Sequence, residues 1–160
     1  VLLIDRTVGN LLDAGIHRVL VVCTALDALT RASFPRDPRV RIVVNARPER
    51  GMFSSIQAGM AEAGDTGLLV LPADMPFVRS ETIRLVADHL QDADAVVIPG
   101  IGNRRGHPIA IPSRFRPGLL ACSPESSLKD ALRHLNAVPR ILEVDDPGIL
   151  RDVDVPADLG

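Results

Sequence analysis

The chain has 160 residues, a length that suits one domain spanning 1–160, and 46% of them are apolar, enough for a substantial core and too many for a globally disordered chain. A net charge of −2 with a pI near 6.1 carries no general nucleic-acid footprint, and with neither Trp nor Tyr and only four Phe there is no aromatic platform for stacking bases. No apolar run approaches the roughly 20 residues of a membrane span, and no basic segment followed by an apolar one marks a secretory leader, so the expectation is a cytoplasmic protein without a membrane partner.

Taken in chain order, short β-branched runs alternate with amphipathic stretches. Leu3, Val8, Leu11 and Leu12 recur near helical spacing, and Gly15 is placed to end that helix. Val19–Cys23 reads as a buried strand, followed by strands at Val40–Val44, Gly67–Leu71 and Ala95–Pro99. Met52–Ala63 and Ser80–Leu90 read as helices, the second with Ser80 as its N-cap and Ile83, Val86, Ala87 and Leu90 on one face. This alternation predicts a mostly parallel sheet with helices on both faces. Gly100–Gly106 reads as a turn or flexible loop, Ile109–Ile111 as a short strand, Ser113–Ala121 and Pro124–Leu135 as helices with Ser126 or Ser127 as a cap, and Ile141–Val144 as a last strand before an acidic tail. Cys23 and Cys122 lie far apart with no CxxC, which fits a reduced protein with buried thiols better than a disulfide framework or a zinc site. Lys129 is the single lysine among 18 basic residues, a compositional bias with no mechanism attached.

Ligands of open parallel sheets gather beyond the carboxyl ends of the strands, and four polar segments here follow strand ends. In Leu71-Pro72-Ala73-Asp74-Met75-Pro76, a lone carboxylate held between prolines suits Mg²⁺, which takes one or two protein carboxylates plus substrate phosphates; a turn-capping Asp is the alternative. In the stretch from Asn45 to Gly59, Gly51 can bring backbone close to a planar ligand, and Ser54 and Ser55 open a helix whose N–H groups and hydroxyls suit a nucleobase edge; an ordinary loop with a serine-rich helix start reads equally well. Asp152 and Asp154, two apart in an extended segment, point to one side and could supply a second metal ligand, or one of the tail carboxylates could cap a final helix with Pro156 in its first turn. Arg105 and His107 in the Asn103–Pro108 loop suit an anionic substrate. His17, His89 and His134 stand in no sequence pattern that would justify a catalytic role, and neither a GxSxG elbow nor a P-loop occurs.

In order and together, Asn45…Gly51-Met52…Ser55-Ile56…Gly59, then Leu71–Pro76, then Arg105-Gly106-His107-Pro108, then Asp152–Leu159 resemble the molybdenum cofactor cytidylyltransferase group of the MobA-like NTP transferase family. The resemblance implies a three-layer Rossmann-like α/β nucleotidyltransferase fold that moves CMP from CTP, with Mg²⁺, to a molybdopterin-type cofactor and releases pyrophosphate. Alternatives are another NTP transferase acting on a sugar phosphate or small phosphorylated metabolite, or a non-catalytic binding module. By position, Asp74 matches the family's metal aspartate, and Asp154, with Asp152 as competitor, matches the late position that completes the metal site and the catalytic pair. Gly51 and Ser55, with Asn45 and Ser54 beside them, fall in the nucleotide-binding segment, and Arg105 and His107 fall on the acceptor side. The implied partners are CTP or another NTP, the molybdopterin-type acceptor, and a molybdoenzyme or its chaperone.

The sequence departs from that pattern in two places. The family's first strand and its glycine-rich Leu-Ala-Ala-Gly-x-x-x-Arg-Met-Gly loop with a following lysine have no counterpart, and Val1 stands where a chain would begin with Met, so upstream sequence is expected. These 160 residues are expected to show a gap or an exposed edge in the sheet, and a rate lowered on the order of 10³-fold for want of phosphate-binding groups. Ser123–Lys129 also replaces a more typical Gly-Asp stretch.

Overall fold

A computed structural model describes residues 3–24, 37–91 and 94–154. Its first helix, α1 (Leu3–Asp13), buries Thr7 and Val8 and ends where the sequence indicates. Gly15 takes φ +87°, its N–H bonds to the Leu12 carbonyl at 3.0 Å, and the Ile16 N–H reaches back to Leu11 at 3.1 Å. That pair of bonds is a Schellman ending, and it needs a residue free to adopt left-handed backbone. Gly9, by contrast, sits inside the helix with open space where a Cβ would go. Gly9→Ala is therefore expected to stabilise the fold by about 0.5–1 kcal/mol, seen as a rise in the thermal midpoint, because only the unfolded chain loses freedom.

Strands β1 (Val19–Thr24) and β2 (Val40–Asn45) pair in parallel from Val19 opposite Val40 to Thr24 opposite Asn45. Helix α2 (Met52–Ala63) then packs across β1, β2 and the next strand, β3 (Leu68–Val70). Helix α3 (Ser80–Asp88) leads to β4 (Val97–Ile101), which turns through Gly102 and Asn103 into β5 (Arg104–Arg105). Strand β6 (Ile109–Ile111), helices α4 (Arg116–Ala121) and α5 (Leu128–His134) and strand β7 (Arg140–Glu143) complete the order, and a 3-10 turn follows at Pro147–Leu150. The largest core cluster joins Phe53 and Met60 of α2 to Val96, Ile111, Phe115, Leu119 and Leu132. A second, of Ala14, Met75, Val78, Ile83 and Ile149, lies beneath the segment that carries Asp74.

The α/β class and the order of elements agree with the sequence reading, and five local expectations are corrected. The sheet is mixed rather than mostly parallel: β1–β2 and β4–β7 are parallel, whereas β3–β6, β4–β6 and β4–β5 are antiparallel. The cause is the Gly100–Gly106 stretch, which forms a hairpin rather than a loop, and a chain that returns without a crossover helix must pair antiparallel. The strand expected at Ala95–Pro99 is shifted to Val97–Ile101 by that pairing. Ser80 is the first helical residue and Arg79 the N-cap, whose side chain makes no capping bond; an aspartate from far along the chain serves this helix start instead. Cys23 and Cys122 are free but half-buried rather than buried. The cap at Ser127 is as read, its hydroxyl accepting from the Asp130 N–H at 3.0 Å. The helix foreseen around Pro156 lies outside the described residues.

The arginine bias has a structural use after all. Arg18 donates to the Ala63 and Glu62 carbonyls at the end of α2, Arg84 to Asp13 and Ala14 at the end of α1, and Arg116 to Met60. A forked guanidinium can serve two carbonyls of a helix end at once, which a lysine ammonium does less well.

The sheet is divided. β1 pairs only with β2 and β3 only with β6 among the described residues, so the two sheets share no ladder. Between them lies a cavity of about 1970 Å³, walled by Val19–Val22 of β1 and Leu68–Val70 of β3 and covered by Ile4, Val8 and Leu11 of α1 and Ile56 and Met60 of α2. No helix among the described residues is long and apolar enough to cross a membrane.

Candidate active site

Asp74 follows β3 in a turn that two parts of the chain hold in place. From α1, the Thr7 hydroxyl donates to the Ala73 carbonyl at 2.9 Å, and the Asn10 amide donates to the carbonyls of Pro76 and Val78 at 3.0 and 2.9 Å. From the C-terminal segment, the Val153 N–H donates to the Asp74 carbonyl at 2.9 Å. That last bond places Asp152 and Asp154 beside Asp74. Val153 is buried, at 7% exposure, so its two extended neighbours turn their carboxylates the other way, to one side. One carboxylate oxygen from each of Asp74, Asp152 and Asp154 lies within 4.8 Å of the others. Three hard oxygen donors, with no His or Cys among them, fit Mg²⁺ or Mn²⁺ and do not fit a structural zinc site.

Ser55, Met52, Asp74, Arg105 and His107 all line the cavity between the sheets. Met52 is 72% exposed, an apolar side chain left at the helix start. The His107 N–H donates to the Ile149 carbonyl at 3.0 Å, which fixes this loop to the C-terminal segment. Burial pushes the imidazole below the usual histidine value, with the neighbouring Asp74 charge pulling the other way, which favours the neutral ring and a hydrogen bond over a cation. Arg105 is exposed on β5, opposite Gly100.

The other foreseen residues are arranged differently. Asn45 is buried, and its amide nitrogen donates to both the Ser54 and the Ser55 hydroxyls at 2.9 Å, while its carbonyl oxygen accepts from the Arg47 N–H at 3.0 Å. Ser54, also buried, donates to the Gly51 carbonyl at 2.6 Å. Asn45 and Ser54 thus tie the end of β2 to the start of α2. Gly51 is exposed at φ +98°, with open space around its Cα.

Sequence reasoning missed the residues that hold this arrangement: Thr7, Asn10, Asp146, and Phe77, whose ring has the guanidinium groups of Arg6 and Arg151 over it at 5.1 and 3.8 Å from its centre. A signal for the first two was present. Thr7 and Asn10 stand three apart beside the apolar stripe of α1, where a polar side chain needs a partner.

A mixed α/β sheet with carboxylates beyond its strand ends, beside a cavity rimmed by hydroxyl, guanidinium and imidazole groups, defines an α/β nucleotidyltransferase fold. The chain belongs to the MobA-like NTP transferase domain family, whose model matches residues 1–138. A phosphoenolpyruvate guanylyltransferase of Rubrobacter xylanophilus is 27% identical over 168 residues, covering 98% of this chain and 76% of the relative. A nucleotidyl transferase of Methanothermobacter thermautotroptrophicus superposes with a TM-score of 0.79 at 22% identity, covering 99% of this chain and 77% of that one. The Mycobacterium tuberculosis protein Rv0371c in complex with manganese gives 0.78 at 21% identity, covering 98% and 83%. The two structures bear on the fold. The matched family region ends before Asp152 and Asp154, whose place in the site rests on the geometry above.

Proposed function

We propose that this protein transfers a nucleoside monophosphate from an NTP to a phosphorylated acceptor. An acceptor phosphate oxygen bonds to the α-phosphorus, the bond from that phosphorus to the bridging oxygen breaks, and pyrophosphate leaves. The observation that carries the reading is the convergence of Asp74, Asp152 and Asp154 from two distant segments at the edge of one cavity. These three carboxylates would hold a divalent cation, Mg²⁺ in our reading, and such an ion supplies charge neutralisation for the triphosphate. Transfer of this type depends on positioning and charge rather than on a protein nucleophile. Ser55 offers a hydroxyl to the nucleotide, and Gly51 leaves backbone open to a flat base. Asn45 and Ser54 act one step back, by fixing Ser55. Arg105 attracts the acceptor's phosphate, and His107, neutral, orients it by a hydrogen bond.

For the pair of substrates, the ordered motifs favour CTP and a molybdopterin-type acceptor. A second reading, GTP with a small phosphorylated carboxylic acid, is favoured by the 27% identical guanylyltransferase. Pyrophosphate release measured across four NTPs, each with a molybdopterin-type acceptor, phosphoenolpyruvate and sugar phosphates, decides between them. The first reading expects release with CTP and the molybdopterin acceptor alone. Release in no combination, together with no cation-dependent NTP binding, overturns nucleotidyl transfer itself.

A further inference from the structure

The buried carboxylate of Asp146 is not used by the chemistry above. It is 2% exposed, yet both of its oxygens are committed. Oδ1 accepts from the Gly148 N–H at 3.0 Å, and Oδ2 accepts from the Arg79 N–H at 2.9 Å and the Thr82 hydroxyl at 2.7 Å. The Arg79 guanidinium stands 3.8 Å away. These bonds join two stretches of chain. One, residues 74–79, runs from Asp74 to the start of α3. The other, residues 146–153, runs from Asp146 to the segment holding Asp152 and Asp154.

The two stretches are fastened again at their far end, where the Val153 N–H meets the Asp74 carbonyl at 2.9 Å. Between the fastenings, Ile149 is fully buried against Met75, Val78 and Ile83. Asp146 and the Val153 bond are thus the two ends of one clamp, with the carboxylate cluster at its mouth. We infer that Asp146 is the positioning residue that holds Asp74 and the Asp152/Asp154 pair in register with each other. This rests on the cation reading above only for its consequence, not for the clamp itself.

Asn has the same shape but a single acceptor oxygen. Whichever way its amide lies, an NH₂ group faces either the Gly148 N–H or the Arg79 N–H, and although the Thr82 hydroxyl can turn to accept, one of those two backbone bonds is lost. The test is Asp146→Asn, with the exposed neighbour variant Asp145→Asn as control and two readouts without substrate: amide exchange by NMR, and Mn²⁺ affinity by EPR. The expected result is lost protection at the Arg79 and Val153 amides with unchanged protection in β1 and β2, and Mn²⁺ bound at least tenfold more weakly. The control stays within twofold of wild type. If Asp146→Asn does not fold, Thr82→Val, which removes one bond, is read in the same way, with a loss of roughly threefold expected. Wild-type protection at Val153, or Mn²⁺ affinity within twofold of wild type in the folded variant, overturns the inference. Should the unaltered protein itself bind no Mn²⁺ at Asp74, the cation reading fails, and the Val153 amide alone decides whether Asp146 holds the clamp.

Discussion

Replacing Asp74 with alanine is expected to abolish cation-dependent nucleotide affinity, read by calorimetry with Mg²⁺ and each NTP. Asp74 is the member of the cluster contributed by the turn after β3, and its loss leaves only the pair from the C-terminal segment. Asp152 and Asp154 flank a buried valine whose N–H is bound to the Asp74 backbone, and that bond survives the substitution. The change therefore removes one donor and leaves the framework standing. A companion measurement is the thermal midpoint. A ligand that binds only the folded state at one hundred times its dissociation constant adds about 2.7 kcal/mol, or roughly 5–11 °C for a domain of this size. The unaltered protein should show that rise with Mn²⁺ and Asp74→Ala should not. A variant that kept the rise would place the cation elsewhere.

The largest expected loss of stability is at Gly148. A Cβ there would sit 2.0 Å from the Phe77 carbonyl oxygen and 2.4 Å from its carbon, and the groups in the way are backbone rather than the movable end of a side chain. Phe77 is itself held, since Asn10 binds the carbonyls on either side of it and Arg151 covers its ring. Gly148→Ala is expected to cost about 3 kcal/mol or more, a fall of roughly 6–12 °C in thermal midpoint by calorimetry. Gly106 belongs to the same structure: a Cβ there would lie 2.2 Å from the Ile149 carbonyl oxygen. The turn at 147–150 is wedged between the Asp74 segment and the His107 loop, with no room for a methyl group on either side. A small shift with Gly148→Ala, like the small gain expected for Gly9→Ala, would mean that this wedge is loose.

Much of the fold could be read from the sequence because the signals were local. The helix at Met52–Ala63, the Gly15 ending and the Ser127 cap each depend on residues within one turn of one another. The grouping of Asp74 with Asp152 and Asp154 was also foreseeable, since strand-end carboxylates with period-two spacing suggest it. What the sequence did not show are features made by distant partners. Nothing near Ser80 indicates that the start of α3 is served by Asp146, more than sixty positions away. Nothing in Gly100–Gly106 distinguishes a loose glycine- and arginine-rich loop from a hairpin, because pairing decides it and pairing is tertiary. Asn45 had the right chemistry for a ligand, but whether an amide turns outward or binds two neighbouring serines is set by the approach of α2 to β2.

The two groups of residues assigned to nucleotide and cation stand on different elements beside one cavity. Ser55 is on α2 and Gly51 just before it, whereas Asp74 follows β3 and Asp152 and Asp154 follow the turn at 147–150. Among the described residues no backbone ladder crosses that cavity, and α1 and α2 cover it. A substrate long enough to touch base-side and phosphate-side groups together would bridge that cavity.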